Sequence, residues 1–496
     1  MPRINSFKEG RIRSGLISAI LGFSFLTLLS ACDSNNPSPK PNPVPTYYWS
    51  WVSGSNAVNQ AGTYGTQGTA APSNVPGARS GAVSWRDSGG NLWLFGGNGY
   101  DSAGNVGYLN DIWKCDGTNW TWISGSNTVN QAGSYGIQGA ADPSNVPGAR
   151  SGAVSQLDPY GKLWLFGGNG VDSGGNSGYL NDVWKYDPAT LEWTWVSGSN
   201  IVNQEGSYGT LGTADPSNVP GARDAVIVWR DSGGKLWLFG GYGLDSGGYL
   251  GYLNDVWKYD PATLEWTWVS GGNTVNQAGA YGTQGRPDPS NVPGARGYAV
   301  TWLDYSGKLW LFGGNGYDSG GALGALNDLW TYDRVNWTWQ SGSNTVNQAG
   351  TYGTQAKYYP SNVSGARQKA VSQIDIYGNL WLFGGNGYDS GGALGALNDL
   401  WEYNWSNWAW ISGSRTVNQV GTYLPKGAFA AANVPGAREG VICWLDSTGQ
   451  MFWLFGGFGY DSAGNYGLLN DLWKRPVRLH PRTAKTPPGK PVMLAN

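Results

Sequence analysis

Hydrophobic and polar residues alternate along short segments of this chain, and glycine, asparagine, aspartate and proline separate the segments. The segment 91–95 reads N-L-W-L-F, so its leucines point to one face of a strand while Trp93 and Phe95 point to the other. Because both faces are apolar, the pattern predicts a strand that is covered on both sides, as in stacked sheets. No helical periodicity interrupts this pattern, and we predict an all-β protein.

A unit built on this segment occurs six times, with a period of 71 to 73 residues. F-G-G begins at Phe95, Phe166, Phe239, Phe312, Phe383 and Phe455, and L-N-D begins at Leu109, Leu180, Leu253, Leu326, Leu397 and Leu469. Self-similarity on this scale predicts units that each bury a face against the next one.

Each unit contains four short strand candidates between turn-forming residues. In the first unit we predict strands at 80–85, 91–95, 111–115 and 120–123. Short turns join the first strand to the second and the third to the fourth. The longer connections, 96–110 and 124–148, are predicted to be loops on one face of the meander, where binding sites usually occur.

The two ends of the repeat region predict how it closes. The N-terminal sequence Y-W-S-W at 48–51 matches the fourth strands of the units, which contain Trp120, Trp193, Trp266, Trp337 and Trp408. The last unit ends at Trp473, after its third strand. We therefore predict that the N-terminal strand completes the last unit and closes a ring of six, which removes free sheet edges.

Three linked features resemble the kelch motif: F-G-G after the second strand, L-N-D-x-W in the third strand and tryptophan in the fourth. The resemblance covers residues 49–473 and implies a six-bladed β-propeller with four antiparallel strands per blade. The unit is longer than the usual kelch repeat of about 50 residues. The extra length is predicted to lie in the loops.

Residues 1–31 resemble an export signal, with basic residues before an apolar run at 16–29 that is too short for a usual membrane span. The run ends in L-S-A-C, which resembles the lipobox of bacterial lipoproteins, and we expect Cys32 to carry lipid. An ordinary signal peptide with a chance cysteine is the alternative. The lipobox interpretation predicts a protein anchored in the bacterial cell envelope, on the extracytoplasmic side.

Proline-rich segments flank the repeat region. Residues 32–46 contain five prolines and are predicted to form an extended tether. Residues 474–496 contain six basic residues and no acid, and we predict a disordered tail, with docking on anionic lipid or polysaccharide as the alternative. Between them, residues 47–473 carry 31 acids and 20 bases, a net charge of −11 that argues against a nucleic-acid partner.

The residues needed by known propeller enzymes are missing. Copper oxidases that resemble galactose oxidase use two histidines, and the only histidine here is His480. The segment 87–93 only approaches the sialidase box S-x-D-x-G-x-T-W and is better explained by a hairpin turn. Cys115 replaces a tyrosine of other units, which indicates packing and no disulfide framework with Cys443. We expect no enzyme, cofactor or metal site, and keep a carbohydrate-active hydrolase or epimerase as the alternative.

One arginine precedes the first strand of every unit. These residues are Arg79, Arg150, Arg223, Arg296, Arg367 and Arg438. In some kelch adaptor proteins, arginines at this mouth of the central channel hold acidic peptides, so the resemblance implies a candidate ligand-binding ring. The alternative is a structural pair with the acid that each unit also supplies. The acids are Asp111, Asp182, Asp255, Asp328, Asp399 and Asp471.

The residue that follows each arginine differs between units, and a single ligand usually needs one asymmetric place. These residues are Ser80, Ser151, Asp224, Gly297, Gln368 and Glu439. Asp224 and Glu439 are three units apart, so they are predicted on opposite walls of the channel as further candidate ligand-binding residues. Paired carboxylates can do acid–base work or hold a cation, but the width of a propeller mouth argues against joint action.

A tyrosine recurs once in each long connection between units. These residues are Tyr64, Tyr135, Tyr208, Tyr281, Tyr352 and Tyr423. As exposed aromatic rings they would be candidates for glycan binding, whereas the neighbouring asparagine, serine and glycine mainly predict turns. The sequence thus predicts a monomeric binding or scaffold module that presents its loop-rich face to a protein or glycan partner.

Overall fold

The computed structural model describes residues 47–477, and every helix or strand assigned in that range is a β-strand. The predicted signal peptide at 1–31, the tether at 32–46 with Cys32, and the tail beyond 477 lie outside the described residues. Within 47–477, no helix is long and apolar enough to span a bilayer.

The strands form six sheets, which are the blades. β1 spans Ser50–Ser53 and belongs to the last blade. Blade 1 contains β2 (Arg79–Ser80), β3 (Val83–Arg86), β4 (Leu92–Tyr100), β5 (Val106–Cys115) and β6 (Trp120–Ser124). Blade 2 contains β7 (Ala141–Asp142), β8 (Arg150–Ser151), β9 (Val154–Leu157), β10 (Leu163–Val171), β11 (Ser177–Asp187) and β12 (Glu192–Ser197). Blade 3 contains β13 (Ala214–Asp215), β14 (Arg223–Asp224), β15 (Ile227–Arg230), β16 (Leu236–Leu244), β17 (Leu250–Asp260) and β18 (Glu265–Ser270).

The other three blades repeat this order. Blade 4 contains β19 (Arg296–Gly297), β20 (Val300–Leu303), β21 (Leu309–Tyr317), β22 (Leu323–Tyr332) and β23 (Trp337–Ser341). Blade 5 contains β24 (Arg367–Gln368), β25 (Val371–Ile374), β26 (Leu380–Tyr388), β27 (Leu394–Tyr403) and β28 (Trp408–Ser412). Blade 6 contains β29 (Arg438–Glu439), β30 (Ile442–Leu445), β31 (Met451–Tyr460) and β32 (Tyr466–Pro476), and β1 completes it.

The pairing confirms six blades of four antiparallel strands. In blade 1, β2 and β3 both pair with β4, β4 pairs with β5, and β5 pairs with β6. We therefore count β2 and β3 as one first strand, which is interrupted at residues 81 and 82, and every other blade has the same two-residue interruption. These first strands contact each other from blade to blade around the whole ring, so they are the innermost strands and surround the central axis.

The F-G-G motif explains a bulge that every blade contains. In blade 1 the register of β4 with β5 shifts between Phe95 and Gly97. Gly96 has a φ of +68°, and a Cβ there would lie 2.8 Å from the carbonyl oxygen of Arg150 in the next blade. A side chain would collide with the neighbouring backbone, so the position requires glycine.

The prediction of a loop over 96–110 is wrong. Beyond the bulge, β4 continues to Tyr100 and β5 begins at Val106, so most of the segment is a hairpin. Only the tip turns, where Asp101 Oδ1 accepts hydrogen bonds from the backbone N–H groups of Ala103 and Asn105. The two glycines bend the strand and do not end it.

The long connections between blades cover the outer edge of the blade that follows. In blade 1, Gly68 donates its N–H to the carbonyl of Trp122 at 2.8 Å, and Asn74 Nδ2 donates to the carbonyl of Trp120 at 3.1 Å. In blades 2 and 3 the same segment forms β7 and β13, which pair with β12 and β18. The extra length of the unit therefore protects a sheet edge that would otherwise be open to other chains.

The predicted ring closure is confirmed, because β1 pairs with β32 and places Trp51 opposite Trp473. The predicted boundary at 473/474 is wrong, since β32 continues through Pro476. Arg475 is buried and donates its Nε–H to the carbonyl of Tyr47 at 2.7 Å. The basic residues and prolines that follow Trp473 predict a tail, but the first three of these residues complete the strand.

The core lies between neighbouring blades. Trp93 and Phe95 of blade 1 pack in one cluster with Leu163 and Trp184 of blade 2, and the other blade interfaces repeat this arrangement. The prediction that both faces of the second strand are covered is confirmed. Cys115 and Cys443 are buried free thiols, and Cys115 lies in such a cluster, in agreement with a packing role.

Candidate functional site at the channel mouth

The six arginines are buried in hydrogen-bonded clusters that we call clamps, each made of one arginine, aspartate, tyrosine and tryptophan. In blade 1, Arg79 Nη1 and Nη2 donate to the two carboxylate oxygens of Asp111 at 2.6 and 2.7 Å. The hydroxyl of Tyr64 and the indole N–H of Trp113 donate to Asp111 Oδ2 at 2.6 and 2.7 Å. The remaining arginine donors reach the carbonyls of Gly77 and Gly96.

The clamp occurs in all six blades with the same atoms. Its arginine–aspartate pairs, with N–O distances of 2.6 to 2.9 Å, are Arg150–Asp182, Arg223–Asp255, Arg296–Asp328, Arg367–Asp399 and Arg438–Asp471, besides Arg79–Asp111. The structural pairing proposed as the alternative to a ligand-binding ring is therefore present in every blade. Burial alone would lower the pKa of Arg79, but the adjacent Asp111 carboxylate raises it above its usual value.

The interpretation of the six recurring tyrosines as exposed glycan-binding rings is wrong. Tyr64, Tyr135, Tyr208, Tyr281 and Tyr352 are buried and Tyr423 is partly buried. Each hydroxyl donates to the clamp aspartate of its blade. Burial, followed by the nearby Asp111 charge, raises the pKa of Tyr64 well above its usual range. The tyrosine recurs because every clamp needs its hydroxyl group.

Six backbone hydrogen bonds form a closed ring where the first strands are broken. Each residue of this central ring donates its N–H to the carbonyl of its counterpart in the preceding blade, at 2.8 to 3.1 Å. The residues are Gly81, Gly152, Ala225, Tyr298, Lys369 and Gly440, and all have φ between +52° and +67°. This left-handed conformation turns the N–H and carbonyl toward the neighbouring blades.

Three members of the central ring are not glycine although they adopt the same conformation. The φ angles are +54° at Ala225, +59° at Tyr298 and +52° at Lys369. A side chain in this region costs roughly 1–2 kcal/mol, and such strain is concentrated at functional sites. Blades 4 and 5 thus place a tyrosine and a lysine where glycine serves in blades 1, 2 and 6.

Tyr298 and Lys369 connect the two carboxylates that the sequence placed on opposite walls. The hydroxyl of Tyr298 donates to Asp224 Oδ2 at 3.2 Å, and Lys369 Nζ lies 5.0 Å from the centre of the Tyr298 ring. Lys369 Nζ also lies 3.6 Å from Glu439 Oε1. The four residues, here named the mouth cluster, therefore run in sequence across blades 3 to 6. Tyr298 and Lys369 thus lie between the two carboxylates, and that these carboxylates do not act jointly stays a prediction.

Four half-buried tyrosines from blades 1 to 3 surround Asp224, since Tyr242 pairs directly opposite it and its charge acts on the other three. We call them the tyrosine wall: Tyr108, Tyr179, Tyr242 and Tyr252. The ring centres of Tyr179 and Tyr242 are 5.9 Å apart, and those of Tyr242 and Tyr252 are 4.9 Å apart. Asparagine side chains hold two of the rings in place. Tyr108 donates to Asn169 Oδ1 at 2.9 Å, and Asn315 Nδ2 donates to the Tyr252 hydroxyl at 2.6 Å.

Asp224 carries the buried carboxyl group whose charge acts on the surrounding tyrosines. It is 8% exposed, and its Oδ1 atom is a buried acceptor with no hydrogen-bond donor. Burial raises the pKa of Asp224 to about 7, while the Tyr298 hydrogen bond and the Lys369 charge oppose the shift. Burial, followed by the Asp224 charge, raises the pKa of Tyr179 to about 12. Across residues 47–477, no group of three or more metal-binding side chains is placed to hold an ion.

Sequence comparison found half of the mouth cluster. Asp224 and Glu439 came from comparing the units at the residue after the arginine, and comparison one position further shows Tyr298 and Lys369 among small residues. Three members of the tyrosine wall, those on the third strands, carried a similar signal, because the equivalent positions in blades 4 to 6 are Ala325, Ala396 and Leu468. The burial of the arginines and recurring tyrosines depended on side-chain contacts 32 and 47 residues apart, which no local pattern shows.

Comparison with known proteins gives a family match within one repeat. Residues 149–200 match the family model described as "Kelch motif". No curated protein sequence matches the chain. Among solved structures, YjhT is similar, with 14% sequence identity over 80% of this chain and 95% of that chain, and a TM-score of 0.44.

Proposed function

We propose that this kelch-type six-bladed β-propeller is a binding module whose loop-rich face receives a protein or glycan, with the mouth cluster and tyrosine wall as the contact site. One observation carries the proposal. The polar residues described above that repeat in all six blades already have structural roles: they form the clamps, stabilise turns or cover the outer edge of a blade. By contrast, the four residues of the mouth cluster do not repeat, and they meet at the mouth with strained backbone at Tyr298 and Lys369.

We further propose that the module acts as a monomer at the cell envelope, on the extracytoplasmic side, with Cys32 as its lipid anchor. The apolar run and the sequence L-S-A-C at 29–32 support this setting. The acidic charge of residues 47–473 disfavours nucleic acid as the partner. A tether of proline-rich sequence before Tyr47 would give the module reach from the membrane surface.

The test is a glycan array together with a pull-down from envelope extract, made with the full-length chain and with Tyr298→Gly. Glycine is the residue of blades 1, 2 and 6 at this position, so the variant keeps the central ring and removes only the side chain. Ala225→Gly is the matched control, since it relieves the same backbone strain and leaves every side chain of the mouth cluster in place. The proposal expects wild type and Ala225→Gly to capture the same partner and Tyr298→Gly to lose it. Equal capture by all three would reject the mouth as the site.

A carbohydrate-active enzyme is the second candidate, and one contact favours it. The Asp224 carboxyl group has a pKa of about 7 and accepts a hydrogen bond from the Tyr298 hydroxyl at 3.2 Å, so this pair of groups could serve a general acid–base reaction near neutral pH. Incubation of array-positive sugars with the protein, followed by NMR of the anomeric protons, tests this. Turnover that disappears in Asp224→Asn would support the enzyme, and binding without turnover would support the module.

A further inference from the structure

The charge left at the mouth is the reverse of what a ring of free arginines would provide. All six arginines are paired with buried aspartates, so their charge is neutralised inside the blades. We propose that the group entering the mouth is a cation, an ammonium or guanidinium, which Asp224 and the tyrosine wall hold. This inference rests on the proposed binding function and names the chemistry of its ligand.

The first reason is an unused acceptor. Asp224 Oδ2 accepts a hydrogen bond from Tyr298, but Oδ1 has no donor among the described residues, although the side chain is nearly buried. A buried acceptor without a partner is costly, and a ligand that donates a hydrogen bond would remove that cost. An N–H group with positive charge makes the stronger bond to a carboxylate.

The second reason is the aromatic surroundings of that acceptor. A cation within about 6 Å of a tyrosine ring centre is attracted by the electrons of the ring face. Lys369 already occupies such a position over Tyr298, at 5.0 Å. In residues 47–477, no lysine or arginine lies over the rings of Tyr179, Tyr242 or Tyr252. The proposed ligand would supply the cation that these half-buried rings do not receive from the described residues.

The third reason is the charge balance of the mouth cluster. Lys369 Nζ is 3.6 Å from Glu439, and the two charges offset each other. The Asp224 carboxyl group is then the acid without a close ionic partner, since its own contact is the neutral Tyr298 hydroxyl. An acidic ligand would meet this carboxylate, whereas a cation would be attracted by it and by the net charge of −11 on residues 47–473.

Calorimetric titration of the full-length chain in detergent with Nα-acetyl-arginine methylamide and its lysine counterpart tests the inference. The citrulline analogue is the matched control, because it has the shape of arginine without the charge. We expect the cationic probes to bind at least tenfold more tightly than citrulline, and more weakly as salt rises. Asp224→Asn should reduce that preference at least tenfold, while Ala225→Gly should leave it unchanged.

The source of the cation is decided by two further arms, free alkylamines and short peptides with one internal arginine. Tighter binding of the peptides indicates a basic side chain of a partner protein, and tighter binding of the amines indicates a small metabolite; both agree with the proposed cation site. Equal binding of arginine and citrulline, no binding of any probe, or an unchanged preference in Asp224→Asn would overturn the inference. If a neutral glycan binds in wild type and fails to bind in Tyr298→Gly, the cation inference is wrong but the binding function stands.

Discussion

At the scale of single residues, the clamp is the most demanding arrangement in the molecule. Arg79 and Asp111 are both fully buried, and removal of two charges from water is repaid only when every donor and acceptor is satisfied. The tyrosine and tryptophan that donate to Asp111, and the carbonyls that accept from Arg79, provide this satisfaction. Each clamp also ties the first strand to the third, which fixes the shape of its blade.

Alanine in place of a clamp arginine should therefore destabilise the protein strongly, because it leaves a buried carboxylate without its partner. We expect a loss of about 3–5 kcal/mol in the free energy of unfolding for Arg79→Ala, and similar losses at Arg150 and Arg367. Urea denaturation of the six alanine variants measures this. One arginine that tolerates alanine would indicate a clamp that is not structural, and that residue would return to the ligand-binding candidates.

Asp224 should give the folded state an unusual dependence on pH. Its pKa is raised by burial from 3.8 to about 7, so the folded protein holds a proton that the unfolded chain releases between these values. Stability should then fall as pH rises from about 4 to about 7, by up to ~4 kcal/mol from this group. The charged side chains that face the same region are those of Lys369 and Glu439.

The test compares unfolding free energies of wild type and Asp224→Asn at several pH values from 4 to 8. Because asparagine does not titrate, the variant should gain stability relative to wild type as the pH rises. Parallel stability curves for the two proteins would show that the carboxyl group titrates normally, as an exposed aspartate does.

At the scale of strands and connections, the sequence predicted the elements well and their ends poorly. The alternation in L-W-L-F and the recurrence of tryptophan were sufficient for strand identity, since both depend on neighbours along the chain. The continuation of β4 through Gly96 and Gly97 was missed because glycine usually ends a strand, and here the backbone of the next blade requires it. The edge-covering role of the long connections was also missed, because their hydrogen bonds go to the carbonyls of Trp120 and Trp122, about 50 residues later in the chain.

Truncation at both ends tests the closure of the ring. Removal of residues 47–53 deletes β1, leaves one edge of β32 unpaired and exposes Trp473, so the melting temperature should fall by well over 5 °C. A chain that ends at Trp473 should also melt lower, because it loses Arg475 and its bond to Tyr47. A chain that ends at Val477 serves as the control and should melt like the full-length protein. Equal melting of all three truncated proteins would contradict the closure.

At the scale of the whole molecule, the fold follows from repetition and the site from its exceptions. Six equivalent blades make a symmetric ring, and a symmetric ring alone offers no single place for one ligand. Asp224, Tyr298 and Lys369 break that symmetry on adjacent blades. The sequence carried this information as differences between repeats, but the contact between the exceptions required the left-handed backbone of the central ring.

The proposed setting at the membrane is tested by metabolic labelling with an alkyne fatty acid. We expect wild type to incorporate the label and to sediment with membranes, and Cys32→Ser to do neither. Label in Cys32→Ser, or membrane retention of that variant, would show that the anchor lies elsewhere.

The most direct test of the division between scaffold and site is a paired measurement on Tyr298→Gly. The variant should melt within a few degrees of wild type, because it exchanges side-chain contacts for relief of about 1–2 kcal/mol of backbone strain. Its binding to the partner identified by array or pull-down should fall at least tenfold, while Ala225→Gly binds as wild type does. The account would be contradicted if Tyr298→Gly melts far below wild type but, below that melting temperature, binds the partner with wild-type affinity. Tyr298 would then belong to the scaffold, and the ligand would bind elsewhere.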